Sequence, residues 1–265
     1  LCILFIAICI SLYYYQTLAK TQKLQKEVLL QSIKAQESEE MKASFIKSIC
    51  HEIRTPLNSI NGFSEILSND ISTPEEQEDY QAIILENTRL LTSLLGSLVE
   101  VANLDSLTEN FTLTPIEIGS YCRAEMQYLK EAEGKQEIDY QLDLPENDYK
   151  VYSHPQYFSL LLRALLNNAN KFTTQGFINL SCRKDNKRKM LLVSITDTGC
   201  GIPAEKHEYV FRRFTKLDIF KQGSGLGLYL CKLIIKHMQG DIYIDETYTK
   251  GSRFIFTLPM EETKK

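Results

Sequence analysis

The first 55 residues of the chain contain neither glycine nor proline, and Pro56 is the first residue of either type. Glycine and proline are the two residues that most strongly disfavour the interior of a helix. Residues 16–55 are instead rich in lysine, glutamate, glutamine, leucine and alanine, which are good helix formers. This stretch therefore predicts one continuous helix that runs from the start of the chain past residue 51.

The N-terminal segment LCILFIAICISLYYY is apolar, carries no charge and ends in three tyrosines. A complete transmembrane helix needs about 20 residues, so this segment is short. A signal-peptide core would have a basic start and a small-residue cleavage site, and neither is present. Lys20, Lys23 and Lys26 follow directly, which is typical of the cytoplasmic side of a membrane. We expect residues 1–15 to be the end of a transmembrane helix in the inner, cytoplasmic membrane. The alternative is a buried helix of a soluble protein.

Charge and cysteine content argue against several classes of protein. The sequence has 30 lysines and arginines against 34 aspartates and glutamates, a net charge of −4, so no nucleic-acid partner is expected. Its 7 cysteines include no C-x-x-C pair, which argues against a disulfide framework or a zinc site and for a reducing compartment. We expect the part after the membrane segment to lie in the cytoplasm. Because the first residue is Leu1, we also expect the chain to be a fragment of a longer protein.

Two segments show the three- and four-residue apolar spacing of amphipathic helices. The segment NDISTPEE at 69–76 separates them, and Ser72 or Thr73 could cap the second helix with Pro74 at its first position. Two long helices joined by a short loop form an antiparallel hairpin. Because one hairpin cannot bury such a wide stripe alone, we expect two copies to form a dimeric four-helix bundle. The apolar positions are Ile46, Ile49, Ile53, Leu57, Ile60 and Leu67, then Ile84, Leu91, Leu94, Leu98 and Val101.

After Leu104 the sequence alternates between strand-like and helix-like segments. EIDYQLDL and KVYS alternate as strands do, and FINLSCRKDNKRKMLLVSITD and DIYIDETYTKGSRFIFTLP are typical of hairpins. PQYFSLLLRALLNNANKF and SGLGLYLCKLIIKHMQG have helical patterns. Helices mixed with mostly antiparallel strands predict a two-layer α+β sandwich domain.

His51 lies on the predicted first helix next to a carboxylate, Glu52. At about 100° per residue, His51 is about 200° from Ile49 and Ile53, so it faces away from the apolar stripe. An exposed imidazole is a usable nucleophile at neutral pH, and an adjacent carboxylate can take its proton. The alternative is an ordinary surface histidine, since acidic and basic residues are common on helix surfaces.

Three later segments have features of a nucleotide site. In LLNNANKF, Asn168 and Lys171 lie three apart on one helical face, where an amide can bind Mg²⁺ and an ammonium a phosphate. DTGCGIP follows the apolar strand LLVSIT, and its Asp197 could accept a hydrogen bond from an adenine amino group. GSGLGL, residues 223–228, opens a helix, whose N-terminus favours anions. Each segment alone is also compatible with an ordinary helix surface or glycine turn.

In combination these segments resemble a sensor histidine kinase of two-component signalling. FIKSICHEIRTPLNSI resembles the phosphoacceptor box of that family and LLNNANKFT its asparagine box. DTGCGIP resembles the first glycine box, VFRRF the phenylalanine box and GSGLGL the second glycine box. The five boxes follow the family's order over about residues 40–260. The resemblance implies a dimeric helical bundle followed by an α/β sandwich of the gyrase and heat-shock ATPase type.

The resemblance also implies a role for each matched residue. His51 would accept the γ-phosphoryl group of ATP, Glu52 would help to remove its proton, and Thr55 would act in dephosphorylating a partner regulator. Asn168 would hold Mg²⁺, Lys171 would contact a phosphate and Asp197 would bind the adenine. The residues expected to shape the phosphate and lid loops or to position the lid are Gly199, Gly201, Phe211, Phe214, Gly223, Gly225, Leu226 and Gly227.

The implied organisation has four parts. A transmembrane end at 1–15 and a signalling helix at 16–40 precede a dimerisation and phosphotransfer domain at 41–107 and a catalytic ATP-binding domain at 111–262. Because no receiver sequence follows the last predicted strand, His51 is expected to pass its phosphoryl group to an aspartate in the receiver domain of a separate response regulator.

Two positions depart from the family pattern: Ala164 occupies the place of a frequent asparagine, and His154 that of a frequent acidic residue. The leading hypothesis is an ATP-dependent protein-histidine kinase. Ala164 motivates one alternative, a non-catalytic dimer module that binds nucleotide weakly and relays a signal. A second alternative is a gyrase-type ATPase that hydrolyses ATP for conformational work, against which the pairing of His51 with Glu52 argues.

Overall fold

The structure is a computed structural model that describes residues 2–69, 73–106, 111–145, 149–217 and 225–260. Within the helices, the backbone alone is described at residues 2–14, 16–19, 27, 33–35, 37–38, 41–42 and 105–106. The chain divides into two compact units, residues 1–55 and 56–265.

The first unit is one helix. Helix α1 (Cys2–Ser68) begins in this unit and continues through Pro56, so its last turns belong to the second unit. The continuous helix predicted from the absence of glycine and proline is therefore confirmed. Apolar side chains remain exposed along the described part of this unit, including Leu24, Val28 and Ile46. None of the side chains described between residues 15 and 55 is therefore buried within this unit.

The second unit opens with a helical hairpin. The end of α1 is joined by a short loop to helix α2 (Pro74–Ser106). The rings of Phe63 and Tyr80 lie 5.3 Å apart, which brings the two helices together near the loop. Thr73 caps α2: Glu76 N–H donates to Thr73 Oγ1 at 3.3 Å, and Thr73 N–H donates to Glu76 Oε2 at 2.8 Å. This reciprocal pair is a capping box, while the other predicted cap, Ser72, lies outside the described residues.

A mixed five-stranded sheet follows in the order β2-β4-β5-β7-β6, with β1 and β3 paired separately. Strand β2 is parallel to β4, and the other neighbours in the sheet are antiparallel. The strands are β1 (Thr114–Glu117), β2 (Ile138–Asp143), β3 (Lys150–Ser153), β4 (Gly176–Asp185), β5 (Met190–Asp197), β6 (Ile242–Ile244) and β7 (Arg253–Pro259).

One face of the sheet is covered by a layer of helices: α3 (Ile118–Glu133), α4 (Pro155–Phe172) and α5 (Gly227–His237). Alternate residues of β5, including Val193 and Ile195, are fully buried in the shared core. Two residues at the end of α2, Val101 and Leu104, join the same core. This arrangement confirms the predicted hairpin followed by a two-layer domain with mostly antiparallel strands.

Helix α3 is a feature that the sequence patterns did not identify. Its apolar residues Cys122, Met126 and Leu129 are buried at helical spacing. Glu125 lies on the same face and is only 6% exposed. Arg163 of α4 donates to its carboxylate from Nε at 3.0 Å and from Nη2 at 3.2 Å. An ion pair with the neighbouring helix α4 therefore permits a charge on the buried face of α3.

One described helical segment is long and apolar enough to cross a membrane by length and composition, and it is residues 74–104 of α2. It carries Glu75, Glu76, Glu78 and Asp79 in its first turns, and it is the second helix of the hairpin. The membrane prediction for residues 1–15 falls on residues of which, Tyr15 apart, no side chain is described.

Candidate active site

His51 is exposed on α1, as its position opposite the apolar stripe predicted. Its side chain is 76% exposed, and Nδ1 lies 3.9 Å from Oε1 of Glu52, whose side chain is 24% exposed. The hydroxyl of Thr55 donates to the backbone carbonyl of His51 at 3.3 Å. Because Nδ1 is the nitrogen nearer to the carboxylate, Nε2 is the ring nitrogen directed away from Glu52.

The end of α4 carries three asparagines, Asn167, Asn168 and Asn170, and the last two have opposite environments. Asn170 is only 4% exposed, and both ends of its amide are hydrogen bonded within the protein. Asn168 is half-buried, and within the described part of the chain its amide has no hydrogen-bonding partner. A partly shielded amide without a protein partner can serve a ligand. The structure therefore separates the structural Asn170 from Asn168 and from Asn167, which is also half-buried and without a partner among the described residues. The position of Lys171, three residues after Asn168 on one helical face, favours Asn168 as the binding residue.

Lys171 lies beside Asn168 on the last turn of α4 and is half-buried. Its ammonium nitrogen is 5.1 Å from the centre of the Phe172 ring. Phe172 is the last residue of α4, and its carbonyl oxygen lies close to Gly199 in the turn after β5.

Asp197 is a buried carboxylate at the end of β5, with 2% of its surface exposed. Its Oδ1 accepts backbone N–H groups from Gly199 at 2.8 Å and from Ser252 at 3.2 Å. Among the described residues no donor reaches Oδ2, which leaves that oxygen for a ligand. Burial raises the pKa of Asp197 above its ordinary value, although the two N–H donors oppose this rise.

The first two predicted glycines are required by close backbone contacts. A Cβ at Gly199 would lie 2.5 Å from the carbonyl oxygen of Phe172. Gly201 has a φ of +71°, in the left-handed region, and its missing Cβ would face the backbone of Gly251 at 3.2 Å. The turn after Asp197 is therefore packed directly against the end of α4, next to Asn168 and Lys171.

The phenylalanine segment meets the second glycine segment. Phe211 is 4% exposed and packs edge-on against Phe254 in the core, with ring centres 6.2 Å apart. Phe214 adopts a φ of +57°, and a Cβ on Gly225 would lie 2.7 Å from its carbonyl carbon. Phe211 therefore anchors this segment in the core, whereas Phe214 contacts the loop that leads into α5.

The remaining residues of the second glycine segment have different environments. Leu226 is fully buried immediately before α5, and its carbonyl accepts the N–H of Leu230 at 2.8 Å. A Cβ at Gly227 would meet no described atom within 4 Å, so described packing does not require glycine there. Gly223 lies outside the described residues.

The two departures from the family pattern have structural roles. Ala164 is half-buried against the hydrophobic core. His154 immediately precedes α4 without a side-chain cap, and its ring packs 5.1 Å from Phe111 and 4.7 Å from Tyr157. Burial lowers the pKa of His154. The described contacts of both residues lie in the core or in this aromatic cluster, not at Asn168 or Asp197.

Several contacts around Asp197 could not be found from its own sequence segment. Ser252 is buried, and its backbone N–H donates to Asp197. Because the side chain takes no part in this bond, the residue type at 252 does not predict the contact. Thr198 Oγ1 accepts the N–H of Phe177 at 3.0 Å and donates to the carbonyl of Gln175 at 3.2 Å. Thr198 thereby ties the turn after β5 to the loop between α4 and β4.

The described residues are better suited to a site for a magnesium-bound nucleotide than to a metal site formed by protein side chains alone. No described cluster of three or more His, Cys, Asp or Glu side chains could hold a metal ion. Mg²⁺ in nucleotide sites is commonly held by one or two protein oxygens together with phosphates and water. The unengaged amide of Asn168 fits that mode, in which the ion would neutralise phosphate charge.

Two family models match the chain in succession. Residues 41–107 match the His Kinase A (phospho-acceptor) domain. Residues 154–262 match the histidine kinase-, DNA gyrase B-, and HSP90-like ATPase. His51, Glu52 and Thr55 fall in the first match, and the candidate nucleotide-binding residues fall in the second.

Curated relatives and solved structures are similar over most of this chain. Sensor protein EvgS of Escherichia coli strain K12 is 30% identical over 93% of this chain and 21% of its own length. Sensor protein SrrB of Staphylococcus aureus strain NCTC 8325 / PS 47 is 33% identical over 84% of this chain and 39% of its own length. The chain thus spans well under half of either relative.

A solved complex of histidine kinase ThkA with response regulator protein TrrA shares the fold. It has a TM-score of 0.70 at 24% sequence identity and covers 85% of this chain and 64% of that one. Because the phospho-acceptor and ATPase family models match in this order, the chain belongs to the sensor histidine kinase family of two-component signalling.

Proposed function

We propose that this chain is the kinase part of a sensor that phosphorylates its own His51 from Mg-ATP and passes the group to a separate response regulator. The observation that carries the proposal is that the groups expected to act are accessible or unengaged. His51 is 76% exposed, and the Asn168 amide has no partner among the described residues. Oδ2 of Asp197 is likewise without a donor among the described residues.

The proposed reaction at His51 follows from the position of Glu52. A neutral imidazole with its proton on Nδ1 has its lone pair on Nε2. The 3.9 Å between Nδ1 and the Glu52 carboxylate is longer than a hydrogen bond, and such contacts often tighten only in the reacting complex. Nε2 attacks the γ-phosphorus, the bond from that phosphorus to the bridging oxygen breaks, and ADP leaves with the electron pair. Glu52 takes the proton from Nδ1.

The nucleotide would be held by the end of α4 and the turn after β5. The unengaged oxygen of Asp197 accepts the adenine amino group, and backbone contacts fix its other oxygen. Lys171 binds phosphate, and Asn168 contributes an amide oxygen to Mg²⁺. Gly199, Gly201, Gly223, Gly225 and Gly227, with Leu226, Phe211 and Phe214, form the surrounding loops in this proposal.

The proposed acceptor of the phosphoryl group is an aspartate in a response regulator. The ThkA structure, of the same fold, is a complex with a response regulator protein. Thr55 follows His51 by one helical turn, and its hydroxyl is close to the His51 backbone. We assign Thr55 to dephosphorylation of the regulator, where a hydroxyl can orient a water molecule.

The proposed assembly is a homodimer attached to the inner membrane through residues 1–15. In the described hairpin, apolar side chains that one copy leaves exposed include Leu57, Leu85 and Val99. A second hairpin would cover them in a four-helix bundle. In this proposal residues 16–40 carry the signal, 41–107 form the dimerisation and phosphotransfer domain, and 111–262 form the ATP-binding domain.

A labelling experiment tests the proposed function. The full chain in detergent is incubated with Mg²⁺ and γ-labelled ATP, beside the variants His51→Gln and His237→Gln. We expect acid-labile, base-stable label on the unaltered chain and on His237→Gln, and none on His51→Gln at unchanged helicity. Label at an undiminished level in His51→Gln would show that His51 is not the acceptor, and reduced but persistent label would show that it is not the only one. No label on any form would favour the non-catalytic relay.

A further inference from the structure

Asn170 differs from its neighbours because its amide is bonded at both ends inside the protein. Its Oδ1 accepts the phenolic O–H of Tyr140 at 2.8 Å, and its Nδ2 donates to the carbonyl of Glu133 at 3.0 Å. Tyr140 lies on β2, and Glu133 is the last residue of α3. The side chain therefore joins the end of α4 to two other elements.

Lys135 makes further hydrogen bonds to the end of α4. Its ammonium donates to the carbonyl of Asn170 at 2.5 Å and to the carbonyl of Thr173 at 2.9 Å. The last carbonyls of a helix lack partners within it and carry partial negative charge. The backbone N–H of Lys135 also donates to the Tyr140 hydroxyl at 3.0 Å. We call Lys135, Tyr140 and Asn170 the α4 clamp.

The α4 clamp is placed to set the rotation of the last helical turn. Asn168 precedes Asn170 by two residues, or about 200° around the helix, and Lys171 follows it by about 100°. Fixing Asn170 on one side therefore fixes the direction in which Asn168 projects on the other. The same turn is confined at Phe172, whose carbonyl oxygen leaves no room for a Cβ on Gly199.

We propose that Lys135, Tyr140 and Asn170 are positioning residues for the magnesium-nucleotide site. This inference rests on the proposed function, because it takes Asn168 as the magnesium residue. The clamp sets the direction of the short Asn168 side chain, whereas Lys171 reaches a phosphate through a long flexible stem that tolerates a change in the turn. Asp197 is held by the backbone of Gly199 and Ser252 instead. Loss of the clamp should therefore impair the Mg²⁺-dependent part of nucleotide binding and leave the adenine-dependent part intact.

Tyr140→Phe is the sharpest perturbation, because it removes one hydroxyl that serves both Asn170 Oδ1 and the Lys135 N–H. It leaves the ring in place and creates almost no cavity. Tyr243→Phe is the matched control, because Tyr243 is a 40% exposed tyrosine on β6 whose hydroxyl makes no hydrogen bond to a described residue. Lys135→Met is a second variant, which keeps most of the apolar stem and removes the ammonium.

The readout is ADP affinity of the full chain by calorimetry, with and without Mg²⁺, well below the unfolding temperature. In Tyr140→Phe and Lys135→Met we expect Mg-ADP affinity to fall by about three- to tenfold, as for one lost hydrogen bond. Mg²⁺-free ADP affinity should stay within about twofold. Tyr243→Phe should match the unaltered chain in both measurements. A purely structural role would lower both affinities together, or neither, and either result would overturn the inference.

Asn168→Asp in the same assay separates the clamp from the proposed function. If it leaves the Mg²⁺ dependence unchanged, the magnesium assignment fails and the clamp inference fails with it. If it alters that dependence while Tyr140→Phe and Lys135→Met do not, the assignment stands and the inference about the clamp is wrong.

Discussion

Replacing Asp197 by asparagine should change nucleotide binding and stability in opposite directions. The carboxylate uses Oδ1 for two backbone N–H groups, at 2.8 Å from Gly199 and 3.2 Å from Ser252. An asparagine can place its amide oxygen at the same point and keep both bonds. The amide nitrogen then replaces Oδ2, so a donor stands where the proposed site needs an acceptor.

The replacement of Oδ2 by an amide nitrogen determines the effect on nucleotide binding. Losing a charge-assisted hydrogen bond to the adenine amino group costs roughly 1.5–3 kcal/mol, or about ten- to a hundredfold in ATP affinity. Guanine presents a carbonyl at the corresponding position, which an amide N–H can meet. We therefore expect Asp197→Asn to weaken ATP binding and to change GTP binding much less.

The effect on stability should have the opposite sign. Burial holds the pKa of Asp197 above its ordinary 3.8, so the folded state binds the proton more tightly than the unfolded state. The ionised carboxylate therefore costs stability, and this cost is absent below the unfolded pKa and grows as the pH rises through the folded pKa. Asp197→Asn should unfold at a temperature equal to or above that of the unaltered chain at neutral pH. The difference should shrink as the pH falls towards 3.8.

Asp245→Asn is the matched control with the opposite electrostatics. The Asp245 carboxylate accepts from Thr247 and Arg253, and these bonds lower its pKa. Its replacement should lower stability by about 1 kcal/mol, a typical value for a partly buried polar contact, without changing the preference for ATP over GTP.

Calorimetric titration with ATP and with GTP measures the nucleotide preference of each variant, and thermal unfolding at two pH values measures its stability. Equal loss of ATP and GTP affinity in Asp197→Asn would refute adenine recognition by this carboxylate. A large drop in its unfolding temperature would show a structural role.

Three further predictions concern the rest of the proposed site and the signalling helix. Asn168→Asp should weaken or abolish autophosphorylation, because it adds a charge beside the triphosphate and alters the metal environment; full activity in a labelling assay would show that the assignment is wrong. Gly199→Ala should lower both nucleotide affinity and the unfolding temperature, because its Cβ would lie 2.5 Å from the Phe172 carbonyl; unchanged calorimetric and melting curves would contradict that contact. Four glycines inserted after Gln36 should uncouple kinase activity from any stimulus in membranes, whereas seven helix-forming residues should restore most of the response. A normal response of the glycine insertion would refute transmission through a rigid helix.

The helices and strands with simple periodicity could be predicted from the sequence. The long α1 follows from a run without glycine or proline, and the start of α2 from Thr73 and Pro74. Helix α3 also has regular apolar spacing, at Ile118, Cys122, Met126 and Leu129, so it could have been predicted; what the spacing does not show is that Glu125 on the same face is compensated by Arg163. That compensation is a contact between helices, which local periodicity does not contain. The parallel pairing of β2 with β4 is non-local for the same reason.

In the candidate site, too, some features could be predicted from the sequence and others depend on contacts between elements. The exposure of His51 followed from helical geometry, and it is confirmed. The distinction between Asn168 and Asn170 did not follow from the pattern alone, because it depends on Tyr140 and a backbone carbonyl from other elements. The need for glycine at position 199 likewise depends on a carbonyl 27 residues earlier in the chain, which becomes a neighbour only in the folded domain.

Identification of the phosphorylated atom tests the central claim most directly. The full chain, labelled with ¹⁵N in its histidines, is incubated with Mg-ATP and observed by NMR, with His51→Gln for assignment. Because Nδ1 faces Glu52, the account predicts a single phosphohistidine, at His51, with phosphorus bonded to Nε2. Phosphate on another residue, or on Nδ1 of His51, would contradict it.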